Sequence, residues 1–313
     1  MSNDLHDIAQ QLVAPGKGIL AADESNSTAG DRLADCGLEN TPENRRRYRN
    51  LLLNTDGIGE YLNGVILFTE TLNQESDDGV KFPKLLQNKG IIPGVKVDLG
   101  KVDFNGFPGE KITEGIDGLA KRLQKYKSSG AKFTKWRAVF TIGADTPTPE
   151  CIHTNAVNLA RYARIAQDEG YVPIVEPEVL HEGGHSIEDC EQATSRVLSE
   201  VNYQLDRYRV DCKATIIKTN MVLPGKSSNQ DVDDDTVAEK TVSVLRENLT
   251  EEIAGVVFLS GGQNANQATQ HLNAIAEKEP LPFEITFSYG RAIQKPALLE
   301  WSGDPDNIPA ARE

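Results

Sequence analysis

Lys218 lies near the end of Lys213-Ala-Thr-Ile-Ile-Lys-Thr-Asn220, a run dense enough in isoleucine and threonine to read as a buried strand. A lysine stripped of water is driven toward its neutral amine, which is a nucleophile. The chemistry this suits is a Schiff base with a carbonyl substrate. A lysine at a strand end can equally carry its charge out to water along its alkyl stem, so its company decides. Glu176, Asp23 and Glu178 are candidate general acids or bases, although each could instead neutralise a lysine. Lys96, Lys135, Arg137, Lys218 and Arg291 form a set of cations at the ends of apolar runs. A set of this kind suits a small anionic ligand better than scattered ion pairing does.

Two stretches could hold its anionic groups. Ser260-Gly261-Gly262 ends one apolar run ahead of a helical segment from Ala265 to Leu272, offering backbone N–H groups at a helix start. Ser288-Tyr-Gly290-Arg291 supplies the same elements after the next run, with a guanidinium added. A second anion site would combine Lys96 with Ser25, Thr28 and Arg32, which follow Asp23. A ligand carrying a phosphate at each end would then place its middle over Lys218. Ordinary glycine turns are the plainer alternative for each stretch.

Three strings point elsewhere and fail on context. Leu259-Ser-Gly-Gly-Gln263 is the signature of ATP-binding-cassette ATPases, but the phosphate loop that must accompany it is missing. Gly225-Lys226-Ser227 comes nearest, and its required first glycine is Asn220. His181-Glu-Gly-Gly-His185 matches a zinc pattern that works only on a helix, whereas two glycines directly after a strand predict a loop. His6, His153 and His271 do not lie at strand ends, so neither a catalytic metal nor any other cofactor is expected.

The elements that must position these residues alternate along the chain. Eight strands are predicted: 18–23, 64–70, 92–98, 133–140, 172–178, 213–220, 255–260 and 284–290. Helical periodicity lies between most of them, as at 154–166 and 187–201. Eight βα units close into a (β/α)8 barrel, whose active sites sit at the C-terminal ends of the strands. The expected organisation is one domain over 1–313, with a preceding helix at about 1–15 and a loose C-terminal end at about 300–313. Residues 227–235 read as a solvated acidic loop.

The chain has 313 residues, 38% hydrophobic and 26% charged, with a net charge of -14. An acidic chain of this kind argues against a nucleic-acid partner. No apolar run has the length of a membrane span. The polar N-terminus is unlike a signal peptide, and four cysteines without metal spacing read as reduced, so a cytoplasmic location is expected.

Taken in order, these motifs resemble class I fructose-bisphosphate aldolase. They are Gly16-Lys-Gly-Ile-Leu-Ala-Ala-Asp-Glu-Ser25, Gly64-Val-Ile-Leu-Phe68, Lys96-Val-Asp98, Lys135-Trp-Arg137, Val172-Pro-Ile-Val-Glu-Pro-Glu178, Lys218 with Asn220-Met221, Phe258-Leu-Ser-Gly-Gly-Gln263 and Phe287-Ser-Tyr-Gly-Arg291. The resemblance runs from about Gly16 to Trp301. It implies a (β/α)8 barrel, usually a cytosolic homotetramer, that cleaves fructose 1,6-bisphosphate reversibly to dihydroxyacetone phosphate and glyceraldehyde 3-phosphate without a metal. It implies Lys218 as the Schiff-base lysine and Glu176 as the main proton carrier. Asp23 and Lys135 would orient and polarise the sugar hydroxyls, Glu178 would be a supporting carboxylate, and Arg137 a cation that supports the reacting groups from behind. Ser260, Gly261, Gly262, Ser288, Gly290 and Arg291 would take the C1 phosphate; Lys96, Ser25, Thr28 and Arg32 the C6 phosphate. Two departures stand out. Thr219 follows the lysine where the family commonly has proline, and the chain stops at Arg312-Glu313, without the tyrosine-ended tail of animal members. Without that tyrosine, the enamine proton step is expected to fall to a barrel residue, with Glu176 the candidate.

Two other readings remain open on sequence. One is another lysine-dependent lyase or a transaldolase-like enzyme acting on fructose 1-phosphate or sedoheptulose 1,7-bisphosphate. The other is a phosphosugar-binding scaffold, which would not need Lys218, Lys135 and Glu176 together.

Overall fold

The computed structural model describes residues 2–278 and 280–313. Its helices are α1 (Ser2–Leu12), α2 (Asn26–Ala34), α3 (Pro42–Leu53), α4 (Phe82–Asn88), α5 (Leu119–Tyr126), α6 (Pro149–Asp168), α7 (Ile187–Arg207), α8 (Asp234–Asn248), α9 (Ala265–Ala276), α10 (Arg291–Trp301) and α11 (Ile308–Arg312). Its strands are β1 (Gly18–Ala22), β2 (Leu62–Leu67), β3 (Ile92–Lys96), β4 (Lys101–Asp103), β5 (Lys111–Thr113), β6 (Phe133–Phe140), β7 (Val172–Val179), β8 (Ile216–Thr219), β9 (Gly255–Phe258) and β10 (Glu284–Tyr289). Eight of the strands close into a barrel in the order β1-β10-β9-β8-β7-β6-β3-β2, and every pairing in it is parallel. The eight predicted strands are these eight. The antiparallel β4–β5 pair was not predicted, because two three-residue strands are too short to show a period.

Alternation along the strands sorts the interior into layers. Phe133, Ile174, Ile216, Ile19, Ile66 and Val257 pack together at the N-terminal end of the barrel, where Ala9, Leu12 and Val13 from α1 and the residues after it close the floor. Two residues further along the same strands, the inward positions become Lys135, Glu176 and Lys218. Residues of opposite parity face the helices, as where Trp136 stacks on Tyr162 of α6 with ring centroids 5.5 Å apart. The apolar floor thus separates the charged layer from solvent on one side.

Gly94 is required by this floor. A Cβ added there would lie 2.3 Å from the Phe133 ring. Gly94→Ala should therefore destabilise the protein by about 1–3 kcal/mol through overpacking. A lowered urea midpoint, partly restored by adding Phe133→Leu, checks this.

Two sequence expectations change. The C-terminal end is helical and packed rather than loose: Ile308 and Ala311 pack against a core of Leu33, Tyr48, Leu51, Leu298 and Trp301. Arg312 donates to the carbonyls of Leu51 and Asn50 at 3.2 and 3.4 Å, near the end of α3. The acidic loop ends earlier than expected. Asp234 and Asp235 form the first turn of α8, and Asp233 caps it by accepting from the Thr236 N–H at 2.7 Å. Of the expected N-terminal helix, Met1 lies outside the described residues.

Candidate active site

The charged layer is built around one carboxylate. Glu176 Oε1 lies 3.1 Å from Lys218 Nζ, and its Oε2 lies 2.9 Å from Lys135 Nζ. Lys135 also meets Asp23 Oδ2 at 2.6 Å. The side chains of Glu176, Lys135 and Lys218 are each only 4% exposed, so these groups are partnered by one another rather than by water. Parallel register sets the geometry: Glu176 on β7 lies beside Arg137 of β6, and Lys135 lies between Lys96 of β3 and Ile174 of β7.

This arrangement fixes the charge states. Burial alone would push the Asp23 carboxyl up. Lys135, then Lys218 and Lys96, outweigh it and hold the acid well below its ordinary range. Burial would raise Glu176 as well, but Lys135, Lys218 and Arg137 bring it below the ordinary value. Burial would strip charge from Lys135, yet the Asp23, Glu176 and Asp98 carboxylates raise it far above the usual lysine range. At neutral pH the resting site therefore holds two ionised carboxylates against a charged Lys135. Glu178 pairs with Arg137 through Nε. In register, Arg137 lies beside Glu176.

The two proposed anion sites differ in readiness. On the β9–β10 side, Gln263 N–H donates to Ser260 O at 2.8 Å, a tight turn with Gly261 and Gly262 at φ +56 and +86, the left-handed values that favour glycine. The start of α9 is closed by its own capping box, Asn264 with Gln267, so its first turn is not the open donor row expected from sequence. The open helix start is that of α10. Gly290 precedes it with no side-chain cap, and Arg291 stands at its first position. Beside it, the Ser288 hydroxyl is buried and without a hydrogen-bond partner. Among the described residues, no carboxylate lies within ion-pair distance of Arg291.

On the β1–β3 side, the hydroxyls of Ser25, Ser27 and Thr28 gather at the start of α2, with Ser25 Oγ 3.1 Å from each of the other two. The cations there already have partners. Lys96 pairs with Asp98, and Arg32 pairs with Glu24. Glu24 was not recognised in the sequence. It is buried, binds Arg49 at 2.7 Å, and accepts from Gln294 of α10 at 3.0 Å. Gln294 in turn accepts from the Tyr48 hydroxyl at 2.6 Å. This network ties the residues after β1 to α3 and α10. Nothing local marks it, since its members come from three distant segments. The zinc-like string is a loop, as expected: His181 to His185 follow β7 with Gly183 at φ +108.

Comparison with known proteins identifies the family. The family described as "Fructose-bisphosphate aldolase class-I" matches residues 4–313. A "Probable fructose-bisphosphate aldolase class 1" from Xanthomonas campestris is 48% identical over 300 residues, covering 96% of this chain and 90% of that relative. "Fructose-bisphosphate aldolase 6, cytosolic" from Arabidopsis thaliana is 46% identical over 321 residues, covering 100% and 89%. A solved fructose-bisphosphate aldolase structure from Plasmodium falciparum superposes with a TM-score of 0.98 at 46% identity, covering 99% of this chain and 90% of that one.

Proposed function

The chain belongs to the class I fructose-bisphosphate aldolase family and is a lyase for fructose 1,6-bisphosphate, and we propose that it acts through an iminium formed on Lys218, with Glu176 carrying the protons and no metal taking part. The observation that carries this reading is the single Glu176 carboxylate held between Lys218 and Lys135, at 3.1 and 2.9 Å.

Glu176 rests as a carboxylate, so it must take up a proton before it can give one. Lys218, 3.1 Å from Oε1, is the source, since it must lose a proton to become a nucleophile. Transfer across that contact yields a neutral amine and a carboxylic acid together. The amine attacks the C2 carbonyl, and the nitrogen proton moves to the new oxygen, giving a carbinolamine. Glu176 then protonates its hydroxyl, which leaves as water, and the iminium forms. Ionised again, Glu176 accepts the C4 hydroxyl proton as the C3–C4 bond breaks. Glyceraldehyde 3-phosphate departs and an enamine stays on Lys218. Protonation of the enamine at C3, with Glu176 now the acid, regenerates an iminium. Water hydrolyses it to dihydroxyacetone phosphate and the free lysine. The ammonium of Lys135, fixed by Asp23 and Glu176, would polarise the substrate hydroxyls as charge develops on them.

The C1 phosphate is assigned to Ser260, Gly261, Gly262, Ser288, Gly290 and Arg291, and the C6 phosphate to Lys96, Ser25, Thr28 and Arg32. A ligand with a phosphate at each of these ends would place its middle over Lys218. A cytosolic location and a homotetrameric assembly complete the reading.

The two ends can be tested separately. Arg291→Ala should weaken fructose 1,6-bisphosphate and fructose 1-phosphate alike, by about 1.5–3 kcal/mol for a charge-assisted contact. Lys96→Ala should penalise the bisphosphate and spare fructose 1-phosphate. Equal losses for both sugars in Lys96→Ala would reverse or discard the assignment.

A further inference from the structure

Gly225-Lys226-Ser227 does not have the spacing of a phosphate loop, yet the fold brings it to the phosphate site. Its N–H groups pair with the segment after β7: Gly225 donates to His185 O, Lys226 to His181 O and Ser227 to Gly183 O, each at 2.9 Å. A Cβ on Gly225 would meet Gly183 O at 2.3 Å, so this close approach needs glycine. The His181 ring nitrogen Nδ1 lies 3.1 Å from Gly261 O, which ties the β9 loop to the same assembly. Three loops are thereby held together, following β7, β8 and β9.

From this platform the Lys226 side chain crosses to Gly262. A methyl group built on Gly262 would lie 2.4 Å from Lys226 Nζ and 3.5 Å from an Arg291 Nη. The two cations therefore flank one glycine and are no more than about 6 Å apart, close enough to repel. Glu182 holds Lys226 at 3.0 Å. Burial would push the Glu182 carboxyl up, but its hydrogen bond to Lys226, the charge of Lys226 and that of Arg291 keep it below its ordinary value. One carboxylate thus offsets both cations.

We propose that Lys226 is a second cation for the C1 phosphate, exchanging Glu182 for a phosphate oxygen when the anion settles between it and Arg291. This rests on the assignment of the C1 phosphate to residues 260–262 and 288–291. The pairing with Glu182 keeps the lysine in place without the ligand, and the exchange relieves the repulsion between the two cations.

Competitive inhibition by inorganic phosphate reads the site without requiring turnover of a particular sugar. Lys226→Met should raise the phosphate inhibition constant about tenfold, the lower end for a charge-assisted hydrogen bond, and should raise KM for fructose 1,6-bisphosphate and fructose 1-phosphate in parallel. Lys226→Arg should restore most of the loss. Glu182→Gln should act in the opposite direction, tightening phosphate about two- to fivefold by releasing the lysine. If the pair served only to hold the loops together, both substitutions would weaken binding alike, and that result overturns the proposal. An unchanged inhibition constant in Lys226→Met overturns it too. In that case Arg291→Ala separates the two failures: loss of phosphate affinity there leaves the loop assignment standing without Lys226, and no loss removes the assignment as well.

Discussion

Lys218→Met should lower kcat by at least about 10⁴-fold, equivalent to roughly 5.5 kcal/mol of transition-state stabilisation, and should abolish covalent trapping of substrate by borohydride. Methionine keeps the length and apolar stem of lysine and removes the amine proposed to form the iminium. The variant should still fold, because Glu176 retains its contact with Lys135 at 2.9 Å and is not left as a lone buried charge. KM is not the informative quantity here, since the residues proposed for the phosphates follow other strands. A Lys218→Met variant with kcat within tenfold of the parent would transfer the nucleophile's role to another residue.

Glu176→Gln should cost about 10²–10⁴-fold in kcat, the range for removal of a general acid–base, with little change in KM. The amide keeps the shape of the carboxylate between Lys218 and Lys135 but can neither take the lysine proton nor return it to the carbinolamine hydroxyl. Iminium formation and carbon–carbon cleavage should both slow, so pre-steady-state trapping with borohydride should be delayed as well as turnover. Glu178→Gln is the control, because Glu178 pairs with Arg137 rather than with the nucleophile. Its loss should be much smaller. Equal losses in the two variants would mean that the proton step is shared along β7 instead of belonging to Glu176.

Strands β6, β7 and β8 were legible because their interior faces run from apolar at the floor to charged two residues later. Phe133-Thr-Lys135, Ile174-Val-Glu176 and Ile216-Ile-Lys218 each show it within three residues. The same alternation singled out Lys218 and Glu176 as candidates, since a charge in a buried apolar strand must have a partner. What escaped the sequence depends on contacts between distant segments. Gln294 reaches the Ala21 carbonyl and Glu24, 273 and 270 positions away, and no local pattern announces such a bond. Lys226 reads as an ordinary loop lysine until the loops after β7 and β9 close around it. The capping box at α9 was available in the sequence as Asn264 and Gln267, and it shifts the open helix start to α10. The packed C-terminal end was missed because its glycine and prolines mask a short apolar pair, Ile308 and Ala311, that finds α3 only in the folded chain.

The central claim is the covalent bond at Lys218, and reduction with borohydride in the presence of dihydroxyacetone phosphate tests it most directly. The account predicts one stable adduct per chain, mapped by peptide mass to the segment containing Lys218 and absent from Lys218→Met. It should form at an undiminished level in strong chelator, because the positive charge at the site comes from lysines. An adduct on Lys135, Lys96 or Lys226, or no adduct under conditions where the enzyme turns over, would contradict it.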